Sequence, residues 1–125
     1  MTRNVVGGKR PAIAPLSPAV WAGDLLYLSG QIPMDPNTGA LMGGDIGAQT
    51  NRVFDNLEAV LREAKLSLDD VIKVNVFLAD MADFAAMNTA YAARFSKPYP
   101  ARTTVAVREL PRKAQIEIEM VARRP

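Results

Sequence analysis

Pro100-Ala101-Arg102-Thr103-Thr104-Val105-Ala106-Val107-Arg108, followed across Glu109-Leu110-Pro111-Arg112 by Gln115-Ile116-Glu117-Ile118-Glu119-Met120-Val121-Ala122, is the stretch on which the fold turns. Both runs favour β-structure. The second alternates, so Ile116, Ile118 and Met120 share one face while Glu117 and Glu119 share the other. The short connection predicts an antiparallel hairpin. If its turn centres on Leu110-Pro111, Thr104 lies opposite Glu117 and Arg102 opposite Glu119. All four would then project from the sheet face away from the apolar side chains, bringing an arginine, a hydroxyl and two carboxylates together.

Upstream, Lys97-Pro98-Tyr99-Pro100 ends a helix that starts at the cap Asp80 and carries Phe84, Met87, Tyr91 and Phe95 at helical spacing. Before it, Val71 to Leu78 alternates Ile72, Val74, Val76 and Leu78 against Lys73, Asn75 and Phe77, a strand with one drier face. Ser67 and Asp70 resemble a short capping pair. Asp45 is a plausible N-cap for an amphipathic helix bearing Val53, Leu57, Val60 or Leu61, and Ala64, which reaches to about Lys65. Gly23-Asp24, set between β-favouring residues from Ala19 to Ser29, predicts a tight hairpin. The order is β-β-α-β-α-β-β, a single α+β domain over residues 1–125 with a mixed sheet and two helices on one face. Leu25-Leu26-Tyr27-Leu28 and Val105-Ala106-Val107 are apolar on both faces, so the uncovered face is expected to pack against further copies of the chain in a closed ring, with sites at the junctions.

Composition removes several kinds of chemistry. Histidine and cysteine are both absent, which excludes Ser-His-Asp triads, thiol nucleophiles and His/Cys-ligated zinc. Carboxylates, arginines, lysines, hydroxyls, backbone amides and water remain, and no metal site is expected. The 15 basic and 13 acidic residues leave a formal charge of only +2 without a long basic run, so nucleic acid is not an expected partner despite a pI near 9.2. The apolar runs are too short to span a bilayer, and no signal-peptide stretch follows Met1, so the expected location is the cytoplasm.

Arg102 has two readings at this point. A forked, always-charged guanidinium on a face destined for burial needs an anion. Glu119 is one candidate partner and a substrate carboxylate the other.

Pro100-Ala101-Arg102-Thr103-Thr104-Val105 with Ile116-Glu117-Ile118-Glu119-Met120 resembles the C-terminal signature of the RidA/YjgF family. Ala12-Ile13-Ala14-Pro15, Leu26-Tyr27-Leu28-Ser29-Gly30-Gln31-Ile32-Pro33, Asp35-Pro36-Asn37-Thr38-Gly39 and Phe84-Ala85-Ala86-Met87-Asn88 are also similar to family segments. The resemblance implies a chorismate-mutase-like α+β fold and a homotrimer with clefts between subunits. It also implies hydrolytic deamination of small reactive 2-imino or enamine carboxylic acids, such as 2-iminobutanoate and 2-iminopropanoate, to 2-keto acid and ammonia, without a cofactor. By the same resemblance Arg102 pairs with the substrate carboxylate, Glu117 positions or activates the attacking water, and Ser29, Gly30, Gln31 and Asn88 form or support the cleft. Three positions depart from the pattern, one of them Pro18, which stands where a glutamine usually follows the serine. Leu16 stands where many deaminating members carry tyrosine, making the cleft more apolar, and Thr104 stands where a cysteine is common, offering a hydrogen bond but no ionisable thiol. The alternatives are a trimeric module that binds a small carboxylate without turning it over, and an endoribonuclease or translation inhibitor. The last is opposed by the lack of histidine and of a contiguous basic groove.

Overall fold

Six strands and two α-helices make up the regular structure of residues 2–8 and 14–125, which the computed structural model describes. The strands are β1 (Asn4–Val6), β2 (Ala19–Ala22), β3 (Leu25–Gln31), β4 (Val71–Leu78), β5 (Ala101–Ala106) and β6 (Ile116–Arg123), and the helices are α1 (Ile46–Glu63) and α2 (Phe84–Arg94). Ala12 and Ile13, part of the family-like Ala12-Ile13-Ala14-Pro15 segment, lie outside the described residues.

Local signals set most of these elements. Asp45 caps α1 by accepting from the Ala48 N–H at 2.8 Å. Val53, Phe54, Leu57, Val60 and Leu61 then recur on one buried stripe, each full burial contributing about 1.5–3 kcal/mol. The helix closes as Lys65 turns into the left-handed region at φ 61°. Ser67 and Asp70 form a reciprocal capping box around a single 3-10 turn, Leu68–Asp70. Asp80 caps another such turn, Met81–Asp83, by accepting from the Ala82 N–H, and α2 follows directly. Gly23, at φ 60°, makes the turn between β2 and β3. Strand β1, which the sequence pattern does not signal, pairs antiparallel with β2 through Val5 and Val20.

The sheet order is β1-β2-β3-β6-β4-β5. Every pairing is antiparallel except β4 with β5. The expected β5–β6 hairpin does not form. Strand β6 lies between β3 and β4, while β5 runs parallel to β4 at the sheet edge. The physical reason is burial. Ile116, Ile118, Met120 and Ala122 are no more than 2% exposed, and a strand so completely apolar on one face is best covered at the centre. The chain leaving β4 returns through α2, the usual route to a parallel neighbour. The segment between β5 and β6 instead packs Leu110 and Ala114 with Ile32 in a small second cluster.

This arrangement corrects the expected placement of Arg102 and Thr104. Arg102 is in register with Val74 and Thr104 with Val76, both wholly buried under the helices. Glu119 is opposite Asn75 and Glu117 opposite Phe77, on the other face. Arg102 and Thr104 therefore face the helices, and Glu117 and Glu119 face away from them. Ile72 is a second departure. A register shift between Val71 and Lys73 displaces it from the core face, and it is 44% exposed.

Both helices pack on one face of the mixed sheet in one core cluster. Between them Phe54 meets Tyr91 and Phe95 edge-on at 5.7 and 5.6 Å, and Arg94 of α2 reaches Asp55 and Glu58 of α1 at 3.0 and 2.8 Å. No described helix is long and apolar enough to cross a membrane. The opposite sheet face presents Val5, Tyr27 and Val105, each more than 40% exposed.

Candidate active site

Strand β5 alternates, so Arg102 and Thr104 share the face toward α2. On α2, Asn88 and Tyr91 are three residues apart and share the surface facing β5. Together with Ala92, Tyr99 and Pro100, Asn88, Tyr91 and Arg102 line an open pocket of about 280 Å³.

Arg102 makes no ion pair among the described residues. Its guanidinium carbon lies 4.7 Å from the centre of the Tyr91 ring and 5.7 Å from that of Phe84, so two aromatic faces hold the cation while its donors stay available. Glu119, the candidate internal partner, accepts instead from Asn75 Nδ2 at 3.0 Å. Two polar atoms of this pocket, Asn88 Oδ1 and Tyr91 OH, are buried without a hydrogen-bond partner, as is Thr104 Oγ1 two residues further along the same face of β5. Such atoms are rare in folded proteins, and their clustering beside an unpaired cation marks a place arranged for a polar occupant.

A second recess opens on the other side of the molecule. Arg3, Pro15, Leu16, Ser17, Val20 and Ser29 border a cleft of about 530 Å³. Ser29 Oγ donates to the Ser17 carbonyl at 2.6 Å, tying β3 to the segment that carries Leu16, and Leu16 is 54% exposed. A register shift between Leu28 and Gln31 loosens β3 from β6 and leaves Gly30 against Glu117. A Cβ on Gly30 would lie 2.7 Å from Glu117 Oε2 and 3.0 Å from its Cδ, so only glycine lets this carboxylate settle where it does. Burial, reinforced by the nearby Glu119 carboxylate, pushes the Glu117 pKa above its ordinary value.

One chain thus sets Arg102 and Asn88 in one pocket, with Thr104 on the same face of β5, and separately Leu16 and Ser29 in the second recess, with Gly30 against Glu117 and Gln31 at the end of the irregular stretch opposite Ile118. Sequence reasoning assigns Tyr91 to helix burial and Phe84 to packing. The signal for their place beside Arg102 is their spacing from Asn88, since Phe84, Asn88 and Tyr91 recur at four and three residues on α2.

The sequence pattern of a family described as Endoribonuclease L-PSP matches residues 7–124. A RutC family protein of Pyrococcus horikoshii is 51% identical over 110 residues, 88% of this chain and 87% of that one. A 2-iminobutanoate/2-iminopropanoate deaminase of Dermatophagoides farinae is 41% identical over 109 residues, 87% of this chain and 85% of its own. Among solved structures, Escherichia coli TdcF with bound serine superposes with a TM-score of 0.90 at 35% identity, covering 98% of this chain and 99% of that one. The chain belongs to this family, the RidA/YjgF family.

Proposed function

We propose that the chain hydrolyses small reactive 2-imino or enamine carboxylic acids to the 2-keto acid and ammonia. In this reading it acts as a homotrimer in which Arg102 of one copy and Glu117 of the next meet across each interface. The observation that carries the reading is the unpaired Arg102 guanidinium in a pocket with the unpartnered Asn88 Oδ1 and Tyr91 OH. Arg102 and Glu117 project from opposite faces of one sheet, so a substrate that uses both requires a second copy. The exposed Val5, Tyr27 and Val105 supply an apolar face for that copy to cover. The deaminase name of the Dermatophagoides relative supports the reaction, and the serine bound to TdcF supports a small carboxylate as occupant.

The chemistry asks little of the protein. Arg102 forms two charge-assisted hydrogen bonds to the substrate carboxylate, fixing the imine carbon. Glu117, ionised, accepts a proton from a water as its oxygen bonds to that carbon and the C=N π electrons move to nitrogen. The proton returns to nitrogen to give a neutral carbinolamine; Glu117 then takes the new hydroxyl proton and passes it to the amino group, and the C–N bond breaks so that ammonia leaves as the carbonyl forms. A raised pKa makes the Glu117 carboxylate a stronger base for the first transfer and its acid a usable donor for the second. Leu16, exposed at its cleft, places an apolar wall near the substrate side chain and favours aliphatic imines.

The test is to generate 2-iminopropanoate and 2-iminobutanoate in situ with an amino-acid oxidase and follow keto-acid release with and without the protein. Acceleration is expected. No acceleration for any imine, with carboxylate binding intact, would leave a binding module instead. An RNA-cleaving role draws no support from a chain without histidine.

Gly30→Ala isolates the placement of Glu117. The new methyl group meets the end of a flexible side chain rather than backbone, so stability should change by less than about 1 kcal/mol. The displaced carboxylate should lower kcat about 10- to 100-fold. Imine kinetics beside thermal unfolding check both expectations.

A further inference from the structure

Tyr91 is only 5% exposed, and packing explains its ring but not its hydroxyl. The ring meets Phe54 at 5.7 Å and Phe95 at 4.9 Å, contacts that phenylalanine would make equally well. The hydroxyl is buried, has no partner, and belongs to a residue that lines the pocket of Arg102. A buried phenol without a hydrogen bond is costly unless an occupant supplies one.

The charge of Arg102 and the chemistry of the phenol identify that occupant's atom. Burial raises the Tyr91 pKa, against a lowering influence of Arg102, so the phenol is neutral and carries a proton to donate. A carboxylate offers about four acceptor positions, of which a guanidinium fork uses two. We propose that Tyr91 is a second anion-binding residue of this site: its ring steadies the Arg102 guanidinium at the pocket, and its hydroxyl donates to the carboxylate that Arg102 pairs with. The proposal rests on the reading of Arg102 as a carboxylate clamp and is independent of whether hydrolysis follows.

The experiment titrates 2-oxobutanoate, an unreactive 2-keto acid, into the wild-type protein and Tyr91→Phe by calorimetry. It also records tyrosine difference absorbance and thermal unfolding. The expected result is binding weakened about five- to tenfold in Tyr91→Phe, the loss of one hydrogen bond, with the unliganded unfolding temperature preserved. Saturation should perturb the tyrosine absorbance of the wild type clearly more than that of the variant, in which Tyr99 still lines the pocket. Equal affinities, an unchanged wild-type absorbance at saturation, or no binding of 2-oxobutanoate by the wild type would each overturn the proposal. A wild-type protein that binds 2-oxobutanoate but hydrolyses no imine would refute the enzymatic reading and leave this one standing, so the two failures are separable.

Discussion

Arg102→Ala is expected to lower kcat/KM for 2-imino acids by about 30- to 5,000-fold, the loss of a charge-assisted, two-pronged contact of roughly 2–5 kcal/mol. It should abolish measurable keto-acid binding as well, because the same contact holds substrate and product. The fold should survive. Arg102 lies on the edge strand, makes no ion pair among the described residues, and rests against the rings of Tyr91 and Phe84. Arg102→Lys should fall between the two proteins, since lysine keeps the charge but not the fork. Imine kinetics and calorimetry on the three proteins decide it, and wild-type behaviour in Arg102→Ala would remove the residue from the site.

Glu117→Gln has the second large effect, on a different parameter. Removing the proton acceptor while keeping the shape should cut kcat about 10²- to 10⁴-fold with little change in KM. Stability should move the opposite way. The folded state holds the Glu117 proton more tightly than the unfolded chain, so native stability falls as pH rises from the ordinary carboxylate range through the raised pKa, and the penalty persists at neutral pH. Glutamine does not incur it. The variant should therefore be the more stable protein at pH 7, with the difference vanishing below the ordinary carboxylate range. In the wild type, kcat should decline on acidification through the raised pKa. Urea unfolding and kcat, each measured across pH, test both signs.

The two variants also locate what the sequence reveals and where it stops. Helix α1 is legible because its signals are local: the Asp45 cap and the stripe from Val53 to Leu61 lie within the helix and its first neighbour. Alternation likewise groups Arg102 with Thr104 and Glu117 with Glu119. It does not say which face each pair takes, because that depends on the partner strand. Once α2 carries the chain back beside β4, Arg102 falls in register with buried Val74 and turns toward the helices. Ile72 shows the same limit, as its exposure comes from a register shift against β6 that no local pattern encodes. The separation of Arg102 from Glu117 is thus a consequence of strand order. Read along the chain they share one site; in the folded chain they occupy opposite faces, and a second copy becomes part of the account.

Mixing the two inactive proteins tests that point most directly. Arg102→Ala and Glu117→Gln, unfolded and refolded together in equal amounts, assort at random. If each site joins Arg102 of one subunit to Glu117 of the next, half of the first positions and half of the second are intact, which restores about one quarter of wild-type activity. Either variant refolded alone stays inactive. Recovery near that level is the predicted result. A mixture as inactive as its components, in particles shown by labelling to contain both variants, would contradict a site shared between copies.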